Sequence, residues 1–262
     1  MNKMTKIILI AAASLILCGG VIFCIIMSKF NWDFKKLSTT KYTTMSHTIT
    51  EGLENISIKI TTADVILIPT NDKNAKVTCY ENVGLTHSVV VEDNTLMIAV
   101  EDSRKWYERI NIDFNTPTIT VYLPEAVYAK LSIDITTGDI VIKDTEFSQI
   151  NLKNTTGDCT LTNITCGDLI SRGTTGDITL TNVIASGNFT INRTTGDVEF
   201  ERCDAATLNI KVTTGDIEGT LLSGKTFVAK TTTGDVEVPN PSTGGNCYLQ
   251  TTTGDIEIEI VE

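Results

Sequence analysis

The tetrapeptide Thr-Thr-Gly-Asp occurs seven times in the second half of the chain, with glycines at Gly138, Gly157, Gly176, Gly196, Gly215, Gly234 and Gly254. Successive glycines are 19, 19, 20, 19, 19 and 20 residues apart. A degenerate copy, Thr61-Thr62-Ala63-Asp64, lies upstream. A fixed period of this length is the mark of a repeat architecture and constrains the fold more than any other feature. Aligned on the glycine, the positions two and four residues later are mostly apolar: Ile140, Ile178 and Val198, then Ile142, Leu180 and Phe200. The positions seven and five residues earlier are mostly apolar as well: Leu131, Ile150 and Leu208, then Ile133, Leu152 and Ile210. Alternation on both sides of the turn is the signature of strands with one buried face.

A unit of 19 to 20 residues is too short for a strand, a crossover helix and a second parallel strand. The expected fold is therefore all-β: a single-stranded parallel β-solenoid, or β-helix, with each 19 to 20 residue coil stacked about 4.8 Å above the last. Whether a coil has two faces or three is left open by the period. The protein contains 43 threonines, and much of that excess belongs to the corners.

Residues 7–27, IILIAAASLILCGGVIFCIIM, form an uncharged run of the roughly 20 residues that cross a bilayer as a helix. No small-x-small cleavage site comes after the run, so an uncleaved single-pass anchor is expected. Leu17 ahead of Cys18 disfavours a lipoprotein. The expected organisation is a short flank at 1–6, the anchor at 7–27, a polar spacer at 28–50, an irregular opening β region at 51–130 and the regular coils at 131–262. Lysines flank the anchor almost equally, at Lys3 and Lys6 on one side and Lys29, Lys35 and Lys36 on the other. The acidity of the chain beyond the anchor favours an extracytoplasmic domain, because anionic headgroups line the inner leaflet.

The full chain carries 21 basic and 32 acidic residues, a net charge of −11. That balance argues against a nucleic-acid partner. Much of the acidity is periodic. Asp139, Asp158, Asp177, Asp197, Asp216, Asp235 and Asp255 succeed the corner glycines, and Glu199, Glu218, Glu237 and Glu257 come two residues after the last four of these. The eight carboxylates Asp197, Glu199, Asp216, Glu218, Asp235, Glu237, Asp255 and Glu257 would line one face. Turn aspartates ordinarily accept backbone N–H bonds. The sharper reading is a ladder for a hard cation such as calcium. On the other side of the corner stand Lys153, Arg172, Lys211 and Lys230.

Two histidines, His47 and His87, offer little for imidazole chemistry. The five cysteines outside the anchor, Cys79, Cys159, Cys166, Cys203 and Cys247, lack the paired spacing of a zinc site or a disulfide framework. Trp106 and Tyr107 sit in a charged loop as an interaction patch or a cap on the open end of the core. The terminal run Ile256–Glu262 is expected to form the last rung, with an edge that a partner strand could extend.

The segment Ile56 to Asp64 (ISIKITTAD), the loop Ser103 to Tyr107, the strand end Val121-Tyr122-Leu123-Pro124 and the serial Thr-Thr-Gly-Asp turns resemble the bacterial putative-adhesin family of β-strand repeat proteins, domain-of-unknown-function family 4097. The likeness extends over about 51–262 and is to the Gram-positive type with one membrane helix before the domain. It implies a β-repeat fold and supplies no catalytic residues. The expected function is a non-enzymatic interaction or adhesion surface of the cell envelope, with the membrane and an unknown protein or glycan as partners. The alternatives are an envelope-stress accessory whose acidic face binds a membrane sensor or a cationic peptide and, more remotely, a glycan-cleaving β-helix.

Overall fold

In a computed structural model of the chain, the described residues are 2–33, 41–82, 84–105, 115–240 and 243–261. Two compact units separate: Met1–Lys41 with Arg104–Asn115, and Tyr42–Ser103 with Thr116–Glu262. The first contains helix α1 (Lys3–Lys29), whose mean hydropathy reaches 2.8, and whose length and composition suffice to cross a membrane. Its apolar side chains are exposed from Met4 to Ile26.

The second unit is one sheet of 17 strands. In chain order they are β1 (Tyr42–Ile49), β2 (Asn55–Thr62), β3 (Asp64–Thr70), β4 (Ala75–Asn82), β5 (Leu85–Glu92), β6 (Thr95–Asp102), β7 (Thr118–Pro124) and β8 (Val127–Thr137). Then come β9 (Ile140–Thr156), β10 (Cys159–Thr175), β11 (Ile178–Thr195), β12 (Val198–Thr214), β13 (Ile217–Leu221), β14 (Lys225–Lys230), β15 (Val236–Glu237), β16 (Gly245–Gln250) and β17 (Ile256–Ile260).

The fold is all-β after one helix, but the one-directional parallel β-solenoid expected from the period is overturned. Strand pairings close on themselves through eight strands, in the order β2, β8, β9, β3, β7, β4, β5, β6 and back to β2. The contacts β2–β8, β8–β9, β9–β3, β3–β7 and β6–β2 are parallel. The contacts β7–β4, β4–β5 and β5–β6 are antiparallel. The result is a closed ring of mixed direction, and its cause is turn length. Asp93 and Asn94, at φ 47° and 57°, make a two-residue reversal between β5 and β6. So short a connection can only join antiparallel strands. A further difference concerns Tyr42–Ile49, which the sequence places in the polar spacer. It forms β1 and pairs antiparallel with β4 along its whole length.

Strands β9 to β12 lie on the ring in parallel register, so that Ile142, Leu161, Leu180, Phe200 and Gly219 share one column. Each of these long strands bends twice. In β9 the inward residues are Ile140 and Ile142, then Phe147, then Ile150 and Leu152. The two odd-numbered separations mean that the alternation changes phase twice, so a coil has three inward-facing runs. The first change occurs at Asp144, Asn163, Asn182 and Arg202, all at φ between 51° and 53°. Asx residues tolerate that left-handed region, and their side chains form a ladder of their own: Asn163 donates to Asp144 at 2.7 Å and Asn182 to Asn163 at 3.0 Å. The extra residue of the coil from Gly176 to Gly196 is absorbed as a bulge at 186–188, so no face slips. Each fully buried Ile or Leu in these columns stabilises the stack by roughly 1.5–3 kcal/mol.

At the corners glycine is obligatory for a steric reason. A Cβ on Gly176, whose φ is +123°, would lie 2.2 Å from the carbonyl oxygen of Gly157 on the rung below. The degenerate copy escapes this constraint because Ala63 is not among the residues with positive φ.

The last two coils are laid down out of sequence order. Cys247–Gln250 of β16 pairs with Leu208–Lys211 of β12 on one side and with β14 on the other. Likewise, Ile256–Ile260 pairs with Ile217–Leu221, while Val236 and Glu237 add to the far side of Ile256 and Glu257. The C-terminal coil is thus inserted between the two coils that precede it in sequence. The outermost rung is β14 and β15, not the terminal strand.

Candidate functional site

The corner aspartates form a continuous chain of hydrogen bonds. The backbone N–H of Asp139 donates to Asp64 Oδ1 at 3.0 Å, and the N–H groups of Asp158, Asp177, Asp197 and Asp216 each donate to the Oδ1 below at 2.8–2.9 Å. Asp255 donates to Asp216, and Asp235 to Asp255, both at 2.7 Å, so the ladder tracks the inserted coil rather than the sequence. At Gly138, Gly157, Gly176, Gly196, Gly215 and Gly254 the glycine N–H goes to a threonine carbonyl of a neighbouring rung, for example Gly157 to Thr175 at 3.1 Å. The turn points the next N–H, that of the aspartate, the opposite way, outside the ladder of backbone pairs. An aspartate side chain on the adjacent rung supplies its acceptor.

The glutamates two residues on make a different surface. Glu199, Glu218, Glu257 and Glu237 occupy adjacent rungs in that spatial order. Glu199, Glu218 and Glu257 are joined by Glu201 and Glu259 around a groove of about 420 Å³, which Thr179, Thr181, Thr220, Leu180, Phe200 and Gly219 complete. Gly219 has no room for a side chain, since a Cβ would meet Phe200 O at 2.1 Å and its ring at 2.6 Å. Among the described residues no ion pair involves any of the five glutamates. Desolvation, followed by the charges of Asp216, Glu257, Glu199 and Asp197, raises the Glu218 carboxyl above its ordinary range. Unit charges about 4.8 Å apart repel by about 1 kcal/mol in water, so the groove favours a cationic occupant.

The basic column stands across the corner, and its Lys153 reaches Asp134 on the next rung at 3.1 Å, both exposed. Trp106 and Tyr107 lie outside the described residues. Cys159 and Cys247 are core thiols, and Cys166, Cys203 and Cys79 are buried with them. The eight carboxylates singled out from the sequence are stacked in line without converging. Among the described residues, the group of three or more metal-capable side chains within 4.8 Å of one another is instead Cys79, Glu81 and His87. Two further interior features escape the period. Arg193 is buried beside Asn154 and Ser171, with bonds of 2.6 and 3.4 Å, in space left by Gly173. Lys225 is buried against Asp204 Oδ1 at 2.5 Å, Ala205 O at 2.7 Å and Ser223 Oγ at 2.8 Å.

A single apolar helix among the described residues, followed by a mixed β ring that continues into parallel coils with an acidic flank, defines a class of β-repeat domain. The family described as Toastrack DUF4097 matches residues 53–262. The chain belongs to that family. Among solved structures it is similar to one from Bacteroides fragilis described as a "putative adhesin", with a TM-score of 0.56 and 19% identity, covering 84% of this chain and 97% of that one. It also matches a "putative cell adhesion protein" from Clostridium sporogenes at a TM-score of 0.37 and 14% identity, covering 85% of this chain and all of the other. No curated protein matches the chain.

Proposed function

We propose that the chain is a membrane-anchored interaction module of the cell envelope, which holds a cationic segment of a partner in the glutamate groove. The observation that carries this reading is the set of five glutamates, without ion pairs among the described residues, around one groove. The adhesion names attached to proteins of similar fold are in keeping with it. In this reading α1 stays in the membrane as an anchor and the acidic domain faces outward, away from anionic headgroups. The work is binding, with affinity set by charge complementarity and a salt-sensitive on-rate.

The test uses the full chain in detergent, titrated with a lysine-rich peptide, a neutral peptide of equal length and soluble glycans. The expected result is salt-sensitive binding of the lysine-rich peptide, weakened at least about tenfold when Glu199, Glu218 and Glu257 are all changed to Gln. Equal affinity for the triple variant would remove the groove from the reading. Release of new reducing ends from a glycan would replace binding with catalysis. Protease shaving of intact cells tests the orientation: a domain cut only after lysis would place it inside.

A further inference from the structure

A second cluster lies in the eight-stranded ring, away from the groove. Cys79 and Glu81 are two residues apart on β4, so they project from the same face. His87 projects from β5 to meet them, and all three are buried. The Glu81 and His87 side chains are only 3% and 1% exposed. Glu81 Oε2 lies 2.9 Å from His87 Nδ1 and accepts the His87 backbone N–H at 2.8 Å. His87 Nε2 is buried with no hydrogen-bond partner. A buried nitrogen left without a partner calls for an explanation.

The place of the cluster is as informative as its composition. Strand β4 is paired along one edge with β1 and along the other with β7, so β5 meets it at a single register pair, Asn82 with Leu85, and then leaves it. The three side chains span this thin junction. We propose that Cys79, Glu81 and His87 form a buried site for a divalent transition metal of the zinc class, which clasps β4 to β5 and closes the ring.

The donor set selects the ion. Calcium and magnesium take all-oxygen shells, whereas a sulfur, an imidazole nitrogen and a carboxylate oxygen suit zinc and its cobalt surrogate. The Glu81 carboxylate already touches the His87 ring at Nδ1, 2.9 Å away, so two of the three donors are held together before a metal enters between them. On binding, the Cys79 S–H bond breaks, a sulfur–metal bond forms and the proton passes to solvent. Burial, together with the charge of Glu81, pushes the free thiol up to about 12, so the metal must displace that proton.

The experiment uses the full chain in detergent, stripped with a chelator and titrated with cobalt(II) alone, then with zinc(II). One cobalt per chain is expected, with a thiolate-to-cobalt charge-transfer band that zinc abolishes. The band should vanish in Cys79→Ser and persist in Cys166→Ser and in Cys18→Ser/Cys24→Ser. Glu81→Gln, which replaces an anionic ligand oxygen by a neutral amide, should weaken binding by at least about 10-fold. Because changes at Glu81 or His87 can unfold the ring, the near-isosteric Cys79→Ser is decisive, with far-ultraviolet dichroism recorded before metal is added. Zinc should also slow amide exchange at Leu85 and His87. Absence of the band, or an unchanged band in Cys79→Ser, would overturn the site; unchanged exchange at Leu85 and His87 would overturn the clasp.

Discussion

The ring and the stack share one strand, β9, and the same kinds of residue, yet they are secured in opposite ways. In the stack every rung repeats the same backbone pairing, the same aspartate hydrogen bond and the same glycine corner, so the loss of one contact leaves many equivalents. In the ring that corner bond occurs once, from Asp139 to Asp64. The ring's closure depends on the Asp93-Asn94 reversal and on one buried group of polar side chains where β5 leaves β4. Redundancy makes the stack tolerant of changes along its faces and intolerant at its corners, where each rung shapes the next. The ring has the reverse exposure: its Ala63 corner has no positive φ and its buried polar cluster is the weak point.

The largest expected effect breaks a corner. Gly176→Ala puts a Cβ against the Gly157 carbonyl at a positive φ and should cost about 3–5 kcal/mol in denaturant titration. Ala63→Gly, at the one degenerate copy, should cost only about 0.5–1 kcal/mol. Equal costs would mean that the two regions do not differ at their corners. Next is Glu81→Ala, which strips His87 of both its bonds and should destabilise the ring by about 3 kcal/mol. Hydrogen exchange should accelerate at β4 and β5 and remain unchanged at Leu161 and Leu180. Acceleration spread evenly over both regions would merge them into one cooperative unit.

A smaller effect concerns the outermost rung, which Lys225 ties down. Asp204 feels desolvation, which alone would raise its pKa, but the Lys225 and Ser223 hydrogen bonds outweigh it and the carboxyl is lowered from 3.8. A depressed carboxyl contributes stability that is present above 3.8 and is lost as pH falls through the folded value. Asp204→Asn should therefore cost about 1–2 kcal/mol at neutral pH, with less pH dependence below pH 4 than the parent shows. The smallest effect has the opposite sign. Glu218 is raised from 4.5, so its contribution to stability is present below 4.5 and falls as pH rises through the higher folded value. Glu218→Gln should raise the melting temperature slightly at neutral pH and leave it unchanged near pH 4. A drop at neutral pH would show that the groove's repulsion is already offset.

The period made the corners and the inward columns legible, because each repeats a local requirement. The second corner was legible in principle through the column Asp144, Asn163, Asn182, since Asx residues at a fixed offset mark left-handed turns. The Asp93-Asn94 reversal was likewise a hairpin signal, in a region where the period had nothing to say. The Cys79, Glu81 and His87 cluster was hidden for a different reason. Searching for paired cysteines misses a site that takes one cysteine, and the two strands that form it carry no shared motif. The acidic groove was half visible: the glutamate column could be counted, but Glu201 and Glu259 join it through a shape set by Gly219 and Phe200.

By itself the sequence determined that the chain is β-structured after one apolar helix, where it turns, and which residues face inward, because alternation and turn chemistry act over a few residues. Only the tertiary structure decided which strands meet. The identical Thr-Thr-Gly-Asp corners fit one another in any order, so local chemistry cannot choose between coil 254 stacking beyond coil 234 and coil 254 lying beneath it. That choice is made by long-range contacts such as Lys225 with Asp204, and by the closing of the ring on itself.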